Sequence, residues 1–353
     1  MTRGVAIDLG TVNTQVYAEK SGIIIDEPSV IALKRAGGTV VAVGQEASAY
    51  EGRTPDGMAV IKPLRDGVIS NLDACVLMLQ GFLRRTLPYH RPGRLETLVC
   101  VPGAATDIER RALVEAAENG SHPLRNRQVH LIEEAVAAAL GAASASREKP
   151  IGNGKSNGSG YGAAVPRDVG KAVLVLDIGG GTTEMGVVVG PGCVRSRSIR
   201  VAGNEMDAAV ARAVRAEYGL VIGDKTAEAL KMEVGLTGPR SPVAVTGVDV
   251  GRWGFLRTVG VAPTVVATAL LRPLNTILDA LTDLLAEVPP DLAGEILAGG
   301  VHLAGGGALL RGLSEWMTYE TRCRATVVED PLRCVVRGLA SLLASGAQSR
   351  YAA

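Results

Sequence analysis

The sequence predicts an α/β protein of two lobes, on three observations. The chain has 353 residues, 47% of them hydrophobic, which is more than one compact core usually holds. Apolar runs of strand length alternate with segments whose apolar residues recur every three or four positions, the alternation an α/β lobe requires. One local pattern is also written twice: an apolar strand ending in aspartate, a turn of glycine and threonine, then a second strand. It occurs as RGVAIDLGTVNTQVYA from Arg3 and again as KAVLVLDIGGGTTEMGVVV from Lys171.

Along the chain, residues 4–9 and 15–18 form two strands around a turn. Residues 22–43 continue in short β-branched runs broken by Pro28 and by Gly37-Gly38, so a β-meander opens the first lobe. Leu72, Val76, Leu79 and Leu83 recur at helical spacing between Asn71 and Arg85. A strand at Leu98–Val101 and a charged helix over 106–118 follow. IEEAVAAALGAA (132–143) begins acidic and runs through alanines, the polarity of a helix starting near Glu133. Residues 144–170 carry no periodicity and are rich in Gly, Ser, Asn and Pro, as a flexible linker or insertion would be. Gly154-Lys155-Ser156 inside that stretch imitates a Walker A ending, but Lys149 stands where the motif needs its first glycine.

The second lobe starts with the Lys171 repeat. It adds helices over 205–218, 224–233 and 264–287 and a strand pair within 243–261. VHLAGGGALLRGL (301–313) then gives a strand, a triple glycine and a helix start, and a closing helix over 331–345 follows Pro331.

Composition excludes several functions. Lys+Arg 37 against Asp+Glu 36 leaves a net charge of +1 and no basic block, so nucleic acid is not expected as a partner. Five cysteines, an odd number without a C-x-x-C pair, outline neither a disulfide framework nor a zinc ribbon and fit a reducing cytoplasm. Four histidines form no H-E-x-x-H metal motif. Strand-like sequence begins by Val5, leaving no room for a leader, and no uninterrupted apolar run approaches about 18 residues. The expectation is a cytoplasmic protein that neither is secreted nor spans a membrane.

The repeated element carries the chemistry. Asp8, Gly10 and Thr14 align with Asp177, Gly179 and Thr183. Each copy puts a carboxylate at the end of a buried strand, beside a turn whose backbone N–H groups form an anion nest. Threonine hydroxyls add donors, and the carboxylates would hold Mg²⁺ through its waters, because Mg²⁺ dehydrates reluctantly. Two such hairpins facing across a cleft would clamp one polyphosphate from both sides; two ordinary hairpins with turn glycines would use the same letters. Gly305, Gly306, Gly307, Ala308 and Leu309 give a third glycine element, on which an adenosine could lie against bare backbone.

In their order, IDLGTVNT, LIEEAVAAALGA, LDIGGGTTE, TAEALKMEVG and AGGGALLRGL resemble the actin-like ATPase superfamily. With KPLRDGVISNLD (62–73), VPGAATDIERRAL (101–113), IRVAGNEMDAAV (199–210) and EDPLRCVVRGLA (329–340), the chain is similar to the bacterial rod-shape-determining MreB/Mbl family. That resemblance implies the actin-like ATPase fold: two RNase H-like lobes, each with a small inserted subdomain, and ATP with Mg²⁺ between them. The first lobe would span 1–143, with its insertion near 33–61, and the second 171–330, with its insertion near 209–274. The helix in 331–353 would return to the first lobe. Thr11, Val12 and Asn13 would meet the phosphates, with Asp8 and Asp177 on the metal side. Gly179, Gly180, Gly181, Thr182 and Thr183 would form the opposing loop. Glu228, Lys231 and Gly203 would reach the ribose and adenine, and Gly305 to Leu309 would complete the adenosine site. Glu134 falls where the family places the residue that orients the attacking water; two helix-start acids favoured by the dipole are the alternative for Glu133-Glu134.

Three positions depart from the family pattern. Ala135 replaces the usual proline after the catalytic glutamate, and Asn204 and Asn71 replace acids. The resemblance implies filament self-assembly, partnership with the cell-wall elongation machinery and attachment to the inner face of the cytoplasmic membrane. The loop other members use for lipid is here LPYHRPGR (87–94), with only Leu87 and Tyr89 apolar. Trp253 and Phe255, between Arg252 and Arg257, are a substitute anchor or the packing of a small subdomain. Other readings are a divergent ATP-binding scaffold that hydrolyses poorly, a small-molecule kinase of the same superfold, and a chaperone ATPase. A kinase would need a substrate pocket with a catalytic aspartate, which no motif here demands, and a chaperone would be expected to carry a substrate-binding domain after the ATPase lobes.

Overall fold

The strand Arg3–Leu9 (β1) is apolar almost throughout because it is central in its sheet, with neighbours on both edges and cover on both faces. It pairs antiparallel with Asn13–Ala18 (β2), which pairs with Gly22–Pro28 (β3). The computed structural model describes residues 3–19, 21–86, 95–120, 127–145, 171–190, 192–252 and 254–346.

Ile31–Lys34 (β4), Val40–Val43 (β5), the short helix Gln45–Ser48 (α1) and Met58–Ile61 (β6) leave the main sheet. They build a small three-stranded sheet in the order β5-β4-β6 over its own core of Val30, Ala32, Ala42 and Ala47. The chain returns through Leu72–Thr86 (α2), capped by Asn71 Oδ1 accepting from the Ala74 N–H at 3.0 Å. Leu95–Val101 (β7), Asp107–Gly120 (α3) and Arg127–Glu133 (β8) follow. A capping box starts α3: Glu109 Oε2 accepts from the Thr106 N–H at 2.7 Å, and Thr106 Oγ1 from the Glu109 N–H at 3.3 Å. The finished sheet has the order β8-β7-β1-β2-β3, with β7 parallel to β1 and β8 parallel to β7.

After Glu134–Ala145 (α4) the same plan is repeated. Ala172–Ile178 (β9), Thr183–Val189 (β10) and Gly192–Ile199 (β11) make the meander. Gly203–Tyr218 (α5), Leu220–Val221 (β12), Asp224–Val234 (α6), Val243–Asp249 (β13) and Leu256–Val261 (β14) include a second small sheet, β12-β13-β14. Pro263–Ala286 (α7), Ala293–Gly299 (α8), Val301–Ala304 (β15), Leu313–Thr321 (α9) and Ala325–Val327 (β16) close the lobe. The sheet order is β11-β10-β9-β15-β16, which is the first sheet's order with β9 in the place of β1.

Cys334–Ser345 (α10) ends the fold against α4, and these two helices build the core between the sheets. That core joins Ala6, Leu98 and Ile132 of the first sheet to Val175, Val188 and Ala304 of the second. The alanines of α4 are buried from Ala135 to Ala139 on every side, so their small size is a packing requirement. α7 is long and apolar enough to cross a membrane by length and composition, yet here Val266, Leu270, Leu274, Ile277, Leu281 and Leu284 fill the second lobe's core.

Two points differ from the sequence expectations: a strand at 127–133 and the turn at the triple glycine. Residues 127–133 are a parallel strand, so the helix expected near Glu133 starts at Glu134. RQVHLIE mixes charge with apolar residues because it is an edge strand, which hides its period. The triple glycine opens a short 3₁₀ turn, Gly306–Leu309, instead of the helix, which waits until Leu313. An extended Leu310 and a left-handed Gly312 (φ +81°) interrupt the chain between them.

Candidate functional site

Both aspartates sit at the ends of central strands, and both turns come together. Asp8 lies in register with Gln15 and Asp177 with Glu184, so each carboxylate leaves its sheet just before the turn. The two turns are in van der Waals contact. A Cβ on Gly180 would overlap Val12, and one on Gly181 would lie 2.7 Å from Thr11 Oγ1. Only glycine allows this approach, which leaves a cradle of bare backbone between Thr11, Val12, Asn13 and Gly179 to Gly181. The second turn is fixed from within: the Gly179 N–H donates to Thr182 O at 2.9 Å. The first N–H groups of α5, at Gly203 and Asn204, donate to Gly179 O and Gly180 O at 3.1 and 2.8 Å. The first turn is fixed by Thr11 Oγ1, which accepts from the Gly67 N–H at 2.8 Å.

Four carboxyl groups share the space beneath the cradle. Burial, reinforced by Asp26, pushes Asp8 up to about 7. Burial and the charges of Asp8 and Glu184 push Asp177 up to about 8. Glu134, the first residue of α4, is raised well above the ordinary glutamate value by burial and then by Glu184, Asp177 and Asp8. Glu184 is raised to about 7 by burial, against hydrogen bonds from Ser198 Oγ and from the Gly103 N–H at 3.2 Å. Acids crowded in this way call for a cation.

Sequence reasoning missed Glu184. It ends the LDIGGGTTE motif, but only the hairpin register puts it beside Asp177, and only the closure of the lobes brings it the Gly103 N–H. A strand residue seven positions after an aspartate across a four-residue turn is the signal that could have found it.

The residues that the resemblance assigns to the nucleoside lie on α5, α6 and the third glycine element. Gly305 (φ +76°) lies against Asp177, and Gly307 against Ile178, so side chains at either position would overlap the strand end that carries the aspartate. Leu309 is exposed, and Leu332, another residue the sequence did not single out, faces Gly306 across the same surface. Glu228 and Lys231 share one turn of α6, with Glu228 exposed. Lys231 Nζ is 2.8 Å from Asp207 Oδ1 and donates to Gly203 O at 3.3 Å, so it ties α6 to the start of α5. Its partner Asp207 was also not foreseen.

Some expectations are corrected. The Thr14 and Thr183 hydroxyls do not face the cradle. Thr14 is fully buried, its Oγ1 2.8 Å from Ser29 Oγ, and Thr183 Oγ1 donates to Val201 O at 2.7 Å. They hold the turns in shape. Ala308 is likewise buried, so its methyl supports the glycine element from below. Phe255 is 67% exposed, which corrects the alternative of a packed core residue. Trp253, the segment 87–94 and residues 146–170, including Gly154-Lys155-Ser156, lie outside the described residues.

The site fits a magnesium-bound polyphosphate. Among the described residues no three acidic, His or Cys side chains converge closely enough to ligate a bare metal ion. Mg²⁺ held by one or two carboxylates through water and by phosphate oxygens needs no such cage. The glycine cradle would leave room for phosphate, and Asp8 and Asp177 would supply the charge.

Comparison with known proteins identifies the family and the fold. The family model described as MreB/Mbl protein matches residues 2–153 and 158–350. The cell shape-determining protein MreB of Escherichia coli K12 is 40% identical over 342 residues, covering 94% of this chain and 91% of that protein. The cell shape-determining protein Mbl of Bacillus subtilis 168 is 34% identical over 344 residues, covering 97% and 96%. The crystal structure of MreB5 of Spiroplasma citri bound to AMPPNP superposes with a TM-score of 0.85 at 29% identity, covering 99% of this chain and 98% of that one. A MamK double helical filament superposes with a TM-score of 0.76 at 20% identity, covering 98% and 99%, and shows the same fold. The architecture is therefore the actin-like ATPase fold, and the chain belongs to the MreB/Mbl family.

Proposed function

We propose that this chain binds Mg-ATP between its lobes, hydrolyses it slowly and assembles into filaments that organise cell-wall synthesis, and so cell or spore shape. One observation carries the nucleotide part: the two Asp-glycine turns meet over a cluster of acids, Val12 against Gly180 and Thr11 against Gly181. The relative MreB5 was solved with AMPPNP and with ADP, which supports the same ligand class here. In this reading residues 1–143 and 171–330 act as the two lobes, joined by 144–170, and the C-terminal helix returns to the first lobe.

Magnesium, when bound through the waters held by Asp8 and Asp177, supplies positive charge against the phosphates. The turn N–H groups of 10–13 and 180–182 grip the phosphate oxygens, and Thr11 and Thr182 add hydroxyls. Glu228, Lys231 and Gly203 face the ribose, with Gly305 to Gly307, Leu309 and Leu332 against the adenosine. Glu134 orients the attacking water and takes its proton; burial makes it a stronger base, once ionised, than an exposed glutamate. Ala135 meets this need by packing rather than by ring stiffness: a Cβ on Gly186 would lie 2.8 Å from the Ala135 Cβ, so the helix start sits directly on β10.

Family membership supports the filament, since the relatives bear the name cell shape-determining protein. Head-to-tail contact of this two-lobed subunit would give an open, heterologous assembly. Phe255 and Leu256, 67% and 75% exposed beside Arg252, support contact with the inner face of the cytoplasmic membrane or with a partner protein.

Light scattering and phosphate release, recorded together with Mg-ATP and with Mg-ADP and followed by negative-stain imaging, test the proposal. Filaments with ATP and their loss with ADP are expected. ATP binding without assembly, even on liposomes, would leave the ATP-binding scaffold or the small-molecule kinase. Liposome co-sedimentation unchanged by alanine at both Trp253 and Phe255 would remove the anchor.

A further inference from the structure

The far end of the cleft is bridged through one carboxylate. Glu51, just after α1 in the first lobe's small sheet, pairs with Lys62 Nζ of its own lobe at 2.9 Å. It also pairs with Lys225 Nζ at 3.4 Å, and Lys225 belongs to the first turn of α6 in the second lobe. Lys225 Nζ donates in addition to Ser48 O at 3.3 Å. Among hydrogen bonds and ion pairs of the described residues, those of Lys225 are the ones that join the first small sheet to the second lobe.

The acceptor is also held from within its own lobe. Ser48 Oγ donates to Glu51 Oε2 at 2.8 Å, and the Glu51 side chain is 16% exposed against 61% and 66% for Lys62 and Lys225. Burial alone would raise the Glu51 carboxyl; hydrogen bonds from Lys62, Ser48 and Lys225, with the Lys62 charge, outweigh it and hold the group below its ordinary value. Only the Lys225 side chain has to be ordered on closure, which keeps the cost of a surface pair small.

Position gives the contact leverage. The lobes are joined at α4 and α10, packed backbone against backbone where Gly141 meets Cys334 O and Gly338 meets Ala137 O. Lys225 stands on the helix that carries Glu228 and Lys231, so lifting it off Glu51 moves the nucleoside side of the site.

We propose that Lys225 is a latch that sets the residence time of nucleotide: its bonds to Glu51 and Ser48 O hold the cleft shut and must break before nucleotide leaves. This rests on the nucleotide reading above. Release of mant-ADP, chased with unlabelled ADP in a stopped-flow instrument, tests it. Lys225→Met should speed release about two- to five-fold, the effect of losing one partly exposed ion pair. Lys225→Glu, which sets two carboxylates face to face, should speed it further. Lys62→Met, which touches only the intralobe pair, should change release less than Lys225→Met. Lys225 is exposed, so both variants should keep the wild-type melting temperature. Wild-type release rates in both Lys225 variants would overturn the latch. A wild-type chain that binds no mant-nucleotide would overturn the nucleotide reading instead. Hydrogen exchange of apo protein then judges the contact itself: unchanged exchange in residues 45–54 and 224–228 of Lys225→Glu would reject it.

Discussion

At Glu134 the chain places a carboxyl on the first turn of a helix that is otherwise alanine, glycine and one leucine, valine and serine, so its chemistry is not needed for packing. Glu134→Gln should keep mant-ATP affinity and lower phosphate release by about 10²-fold or more, the usual worth of a positioned base. Equal release from both proteins would remove Glu134 from the reaction. If Glu134 is the base, Glu184 would act on the same chemistry from a distance, because its charge bears on Glu134 and its hydrogen bonds join Ser198 to Gly103. Glu184→Gln should therefore lower release without changing affinity, and shift the pH at which release is half-maximal; a drop in melting temperature alone would make it purely structural. Gly305 is the third residue-scale test. Alanine there would press on Asp177 and strain a positive φ, costing about 1–3 kcal/mol. Mant-ATP titration should show affinity falling with it.

Between α4 and α10 the element-scale argument concerns glycine. Gly338 lies on Ala137 O and Gly141 on Cys334 O, so any side chain at either position meets backbone that cannot rotate away. Gly338→Val should destabilise the protein by about 1–3 kcal/mol through overpacking, read as a fall in urea midpoint at unchanged slope. Gly294 in α8 makes the contrast, having open space around its would-be Cβ. Gly294→Ala should stabilise by about 0.4–1 kcal/mol, because the unfolded chain loses freedom and nothing clashes. If both substitutions behave alike, the close approach of α4 and α10 is not what the glycines serve.

The whole molecule responds to pH through its buried acids. Asp8, Asp177 and Glu184 are raised in the folded state to about 7, 8 and 7, above the values of the unfolded chain. The native state therefore binds more protons between about pH 4 and 8, and stability from these groups falls as pH rises through that window. Apo protein should melt higher at pH 6 than at pH 8. A bound cation favours the ionised carboxylates, so Mg-ADP should raise the melting temperature more at pH 8 than at pH 6, with release of protons. Calorimetry in buffers of different ionisation enthalpy counts those protons, and a zero count would separate the acids from the ligand site.

Asp8 and Asp177, the glycine turns, the polar start of the α4 helix and the double lobe were all legible in the sequence. Each is a local pattern whose spacing carries its meaning: strand, acid, turn, strand. Thr14 and Thr183 show where that reading stops, since a hydroxyl in a phosphate-like turn has the same letters whether it faces the ligand or Ser29 and Val201. The strand before Glu134 stayed hidden because an edge strand of mixed composition has no clear period. Glu184, Asp207, Leu332 and the Lys225–Glu51 bridge were decided by tertiary structure alone. Their partners are far away in the chain, and register, helix packing and closure of the lobes bring them together. The sequence by itself determined which residues can turn, cap, bury and ionise; the folded structure decided which of them meet, because contact depends on the path of the whole chain.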